Sequence, residues 1–129
     1  MAERSVSGEA KTYRILVLAN AEPGRESEFD AWYSERHVPE ILRTSGFKSA
    51  QRFQLSAAQV SAEPLPHRYV TIYELETLDI QAALDALAAR RAAGQITPTD
   101  SIAPGALAYV LESMTELIAP PTVSEQQGN

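Results

Sequence analysis

Cysteine is absent from this chain of 129 residues, and histidine occurs only twice. Without thiols there can be no disulfide, thiolate metal site or cysteine nucleophile, and a lone histidine among scattered carboxylates does not make a closed metal centre. Long apolar runs are missing too. None approaches the ~20 residues of a membrane span, and residues 1–10 lack the hydrophobic core of a secretory signal. A cytoplasmic protein with no membrane partner is the expectation. Basic clusters are equally scarce: the net charge is −6, and Arg90-Arg91 among alanines is the nearest approach to a basic stripe. Nucleic acid is therefore not expected as a partner. The chain also lacks a Gly-x-Ser-x-Gly nucleophile elbow and a glycine-rich phosphate loop; Pro23-Gly24 is a single turn.

What is present fits one domain with a real core and an ordinary apolar content. Residues 1–11 and 119–129 are small and polar and read as a disordered leader and tail, leaving 12–118 as the folded unit. Residues 13–19 form a nearly continuous apolar run, suited to a central strand covered on both faces. A turn at 20–24 leads into a helix over 25–36 with Glu26 and Glu28 in its first turn. Val38-Pro39 should stop that helix, because the residue before proline disfavours the α region; 39–43 then restarts as a single turn. Residues 47–55 alternate as a strand with Phe47, Phe53 and Leu55 on one side and Lys48, Arg52 and Gln54 on the other. A loop at 56–67 precedes the strongest strand, 68–76. Asp79 caps a second helix to Ala93, with Ile80, Ala83, Leu84, Leu87 and Arg91 in helical period and Gly94 ending it. Residues 106–117 read as the final strand.

The order β-α-β-β-α-β is that of the ferredoxin-like α+β fold: a four-stranded antiparallel sheet with two helices on one face. Its other face would be bare, yet the first and third strands are apolar on both sides. A homodimer packed sheet to sheet, closing into an α+β barrel, solves that burial problem.

His37 is the best-suited group for acid–base work near neutral pH. It follows Phe29, Trp32 and Tyr33 on one inward helical stripe and sits where the helix is expected to end. There it can project into a cleft, or simply interact with the last carbonyls of the helix. Position alone leaves both readings open. Strand alternation puts Tyr69, Thr71 and Tyr73 on one face and Val70, Ile72 and Glu74 on the other, without saying which face meets the helices.

The series Pro23-Gly-Arg-Glu26, Phe29, Trp32-Tyr33, His37-Val-Pro39, Gly46-Phe47, Ala50-Gln-Arg-Phe53 and Arg68-Tyr69…Tyr73-Glu74 resembles the dimeric α+β barrel superfamily, within it the EthD-like and small polyketide-cyclase-like branch. The resemblance spans about residues 13–117. It implies a pocket between helices and sheet for a small apolar or aromatic substrate, with a histidine at this helix end as a recurrent polar group. The activity it implies is of cofactor-independent lyase or isomerase type (dehydratase, cyclase or related). A non-catalytic small-molecule binding or accessory protein and a cofactor-free monooxygenase are the alternatives. The superfamily includes haem-dependent members, so haem ligation by His37 is within its range, but the adjacent proline and acidic neighbours give no positive sign of it.

On that reading His37 is the general base or acid, able to take a proton next to a carbonyl, and Tyr73 and Arg52 stabilise the resulting enolate. Asn20, Phe29, Trp32, Tyr33, Tyr69 and Glu74 are the candidate substrate contacts, with no metal and no cofactor called for. The structural alternatives are plain. Phe29 and Trp32 suit a core, Tyr69 and Tyr73 a core or dimer interface, Asn20 a turn, and Glu74 with Arg52 a cross-strand ion pair. His67, in a proline-flanked loop, reads as solvated.

Overall fold

The computed structural model describes residues 9–122; most of the expected leader and the end of the expected tail lie outside the described residues. Among the described residues there are four strands and two helical arms: β1 (Lys11–Ala19), a first arm over 26–41, β2 (Phe47–Gln54), β3 (Tyr69–Thr77), the helix here called α3 (Ile80–Ala92) and β4 (Leu107–Glu112). The sheet is antiparallel throughout, in the order β2-β3-β1-β4. This is the ferredoxin-like arrangement that the pattern of elements predicts.

The register settles which face meets the helices. Ile15 pairs with Tyr73, Val17 with Thr71 and Tyr13 with Leu75. These inward residues join Ile41, Phe47, Ala83 and Ile96 in the main core, with Val38, Ile80, Leu84 and Leu87 packed against it from the helical side. Glu74, Ile72 and Val70 therefore lie on the opposite face. A second cluster of Ala19, Phe29 and Tyr33, flanked by Trp32, Tyr69 and Ile102, fills the end of the sheet beside the first arm.

Three expectations are corrected. The first arm does not end at Val38-Pro39. It runs as α1 (Glu26–Trp32), a π-helical turn (Tyr33–His37) and α2 (Val38–Ile41) without interruption, and Val38 keeps helical angles of φ −62° and ψ −48°. Proline removes one N–H and crowds the carbonyl four residues back. The wider π turn, in which the Val38 N–H reaches the Tyr33 carbonyl, takes up that conflict by an extra residue instead of a break. His37 is consequently inside a helical run, where it has no terminal carbonyls to cap.

The second correction concerns β2. Phe47 pairs with Leu75 but Ser49 with Glu74, so Lys48 is an extra residue in a β-bulge. Beyond it the alternation is inverted: Ala50 and Arg52, opposite Tyr73 and Thr71, face inward with Phe47, whereas Phe53 turns to the outer face. The turn before β2 needs Gly46 at φ +93°, where its carbonyl accepts from the Glu76 N–H at 2.8 Å.

The second helix keeps its predicted cap, the Asp79 carboxylate accepting from the Ala82 N–H at 3.1 Å. The third correction is to the last strand, which is shorter than predicted. β4 pairs only with β1, and their ladder stops at Tyr13–Glu112, close to the start of β1.

Candidate functional site

Between the helices and the inner face of the sheet lies a cavity of about 510 Å³. Ile15, Val17 and Tyr73 form its sheet wall, Leu84 and Leu87 its roof, and Ala108 and Val110 of β4 extend it to the sheet edge. Trp32, Tyr33 and His37 enter from the first arm. The loop after α3 closes one side through Ile96, Thr97 and Thr99. That loop is pinned in place: the Trp32 indole donates to the Thr97 carbonyl at 2.9 Å, and the Glu40 carboxylate accepts from the Thr97 N–H and hydroxyl at 2.7 and 2.8 Å. Those two bonds hold the Glu40 carboxyl below the usual range.

The π turn sets the histidine. In an α-helix residues five apart point about 140° away from each other; the wider winding of a π turn brings them much closer to one face. Trp32 and His37 accordingly stack, ring centroids 4.3 Å apart and planes 23° apart. Tyr33 meets the same imidazole edge-on at 5.1 Å. The ring is thus gripped from two sides while its Nδ1 is buried without a hydrogen-bond partner. Burial, aided by the Arg91 charge and opposed by Glu40, brings the imidazole pKa down to about 4. His37 is neutral at pH 7, so one ring nitrogen is an acceptor.

Tyr73 supplies the complementary group. Its residue is 3 % exposed, and its hydroxyl is likewise buried and unpartnered. Burial, and secondarily Tyr33, push its phenol well above the ordinary value, so it stays protonated and able to donate. Buried polar groups nearly always find partners, and an unpaired one costs ~1–3 kcal/mol. His37 and Tyr73 both line the same apolar cavity, and each carries one of these buried, unpartnered atoms. Tyr33 differs: burial raises its phenol too, but Thr71 hydrogen-bonds to it.

The other sequence candidates are distributed as follows. Phe29 is fully buried, in ring contact with Tyr33 and Tyr69 at 5.1 and 5.0 Å, and belongs to the core. Arg52 faces inward beneath α1, where it bonds to Asp30 and Ser34 and lies 4.9 Å from the Tyr33 ring centre. It does not line the cavity; with Tyr69 it borders a separate shallow hollow. Asn20 clamps the 56–67 loop, donating to the Pro66 carbonyl and accepting from the Arg68 N–H, each at 2.7 Å. Glu74 sits on the outer face, 3.6 Å from Arg14 and away from Arg52. His67 is half-buried, within hydrogen-bonding distance of the Gly105 carbonyl at 2.8 Å. Among the described residues no group of three metal-ligating side chains exists, and no helix is long and apolar enough to cross a membrane.

Sequence reasoning missed Arg91, Thr97 and Thr99 as lining residues. Arg91 was visible as the last member of the inward stripe of α3. The two threonines carried no local signal, because their loop is positioned by Trp32 and Glu40 from far along the chain.

Among curated proteins none matches the sequence. Solved structures share the fold at low identity. A variant of MhuD holding two manganese protoporphyrin IX molecules per active site superposes with a TM-score of 0.55, at 16% identity over 84% of this chain and 99% of its own. An EthD-like protein from Ralstonia eutropha JMP134 gives 0.53, at 17% identity over 83% and 96%. A candidate monooxygenase from Shewanella loihica PV-4 gives 0.51, at 13% identity over 84% and 100%. The expected likeness to EthD-like proteins holds for the fold. A family model matches residues 13–87, from β1 into α3, and the chain belongs to that family, the domain of unknown function DUF4286.

Proposed function

We propose that this chain is an enzyme of lyase or isomerase type that acts on a small apolar or aromatic carbonyl compound with its own side chains. The observation that carries the reading is the pair of unpartnered buried groups, His37 Nδ1 and the Tyr73 hydroxyl, on two residues that line one apolar cavity. In the tautomer that leaves Nδ1 unprotonated the first is an acceptor, and the second is a donor. A substrate carbonyl placed against Tyr73 is polarised by the phenol, which lowers the cost of removing a proton from the neighbouring carbon. His37 takes that proton, and Tyr73 stabilises the enolate oxygen. Return of the proton at another carbon gives isomerisation; loss of a group from the next carbon gives elimination.

The low pKa of His37 fits this division of labour. It guarantees the free-base form at neutral pH, and it confines the imidazole to carbon acids that Tyr73 has already activated. Arg52 acts at one remove, by holding Tyr33 against the imidazole. The unit that works is a homodimer paired through the outer sheet face.

The fold likeness to a candidate monooxygenase favours one second reading, a cofactor-free oxygenase on a phenolic substrate. The residues do not suit haem. A ligating histidine is normally oriented by a hydrogen bond from its other ring nitrogen, and the His37 Nδ1 has no such partner.

The test is deuterium exchange in D₂O, followed by NMR, across a panel of small ketones and aldehydes. The chain should label at least one of them next to the carbonyl, and His37→Ala, still folded, should slow the labelling by ~10²–10⁴-fold. Undiminished labelling in that variant contradicts the reading. Oxygen uptake with a phenol and no exchange selects the oxygenase.

A further inference from the structure

Only one residue lining the cavity carries a fixed charge, and the mechanism above leaves it unused. Arg91 ends the inward stripe of α3 that runs through Ile80, Ala83, Leu84 and Leu87, so it joins the lining from the last turn of the helix. Its charge is felt at three other lining groups, Tyr33, His37 and Tyr73. A cation in the last turn of a helix is favourable in any case. That account serves the neighbouring Arg90 equally well, yet Arg90 points elsewhere and gives its donors to the Glu40 carbonyl, Thr44 and Gln95.

The contrast with several other arginines is chemical. Arg14 has Glu74, Arg25 has Glu28 and Asp100, Arg36 has Glu40, and Arg52 has Asp30; among the described residues Arg43 and Arg68 have no such pair either, but neither lines the cavity. Among the described residues no carboxylate lies within ion-pair distance of Arg91, although it faces a cavity whose other polar groups are neutral. The cavity thus offers a neutral donor and acceptor at buried positions, apolar walls, and an unpaired planar cation where α3 meets solvent.

We propose that the substrate carries a carboxylate, which Arg91 pairs while the apolar body fills the cavity and the carbonyl end reaches Tyr73 and His37. This rests on the reading of the cavity as a small-molecule site. A guanidinium fork matches a carboxylate in geometry, and the apolar walls around it give the pair less competition from water than on an open surface. The carboxylate fixes which end of the compound enters first.

Trp32 is the only tryptophan of the chain and lines the cavity, so its fluorescence reports occupancy. Cyclohexylacetate and cyclohexylacetamide are the probes, equal in shape, different in charge and free of aromatic absorption. The carboxylate should bind ~5–10-fold more tightly than the amide. Arg91→Gln should abolish that preference without altering amide binding, and Arg91→Lys should keep part of it. Arg91 is exposed, so neither substitution threatens the fold. Equal affinities in the unmodified chain, or a preference that survives Arg91→Gln, overturn the inference and leave the cavity reading standing. Binding of neither probe, by fluorescence and calorimetry alike, overturns both.

Discussion

His37 is neutral because it is buried, and that has a consequence for stability. Its pKa is about 4 in the folded chain, against about 6.5 in the unfolded one. Between those values the unfolded chain takes up a proton that the native chain refuses. The stabilising contribution of a neutral His37 is therefore complete above about pH 6.5 and falls away as pH drops toward 4. His37→Gln should flatten this acid limb, removing ~2–3 kcal/mol of the pH dependence between pH 7 and 4.5 in urea unfolding. Identical slopes in the two proteins would show that the imidazole is not buried as described. Residue chemistry was largely legible in the sequence: with no thiol and two histidines, His37 stood out as the titratable group. The role of Tyr73 was legible only as one of two alternatives. Alternation separates Tyr73 from Glu74 but is blind to which face the helices cover, and the pairing of Ile15 with Tyr73 in the core decides it.

At the scale of elements, the order of strands and helices could be read from periodicity, since hydrophobic burial imposes it. The two local irregularities could not, and both bear on the site. Proline at 39 gave a reason for the helix to break, but the competing burial of Tyr33, Val38 and Ile41 keeps the arm continuous and converts the conflict into a π turn. One extra residue at Lys48 reverses the faces of β2 and moves Arg52 inward under Tyr33, which no alternation rule would propose. The π turn makes a prediction of its own. Pro39→Ala removes the ring that opposes a regular helix, at a cost in stability of no more than ~1 kcal/mol. The arm should then relax toward α geometry and unstack His37 from Trp32. Trp32 fluorescence should shift and the His37 pKa should rise toward 6.5; an unchanged spectrum and titration would mean that packing alone sustains the π turn.

Across the whole molecule the sheet is two-sided in composition but one-sided in cover. The outer face exposes Phe53, Leu107, Tyr109 and Leu111, each more than two-fifths accessible, beside Leu16, Leu18, Val70 and Ile72. Burying such a face against a second copy predicts a dimer by light scattering at micromolar concentration, and Tyr109→Glu should yield a monomer with an unchanged circular dichroism spectrum. A monomeric unmodified chain would contradict it. The cavity on the inner face, reaching from the first arm to β4, is what the fold builds around its two unpartnered polar groups. Tyr73→Phe tests that claim most directly, by thermal unfolding and by the deuterium-exchange rate of the carbonyl compound that the unmodified chain labels. A hydroxyl kept for chemistry predicts a Tm unchanged or raised, because an unpaired buried group has been removed, together with a loss of exchange of at least ~10-fold. A lowered Tm with undiminished exchange would contradict the account.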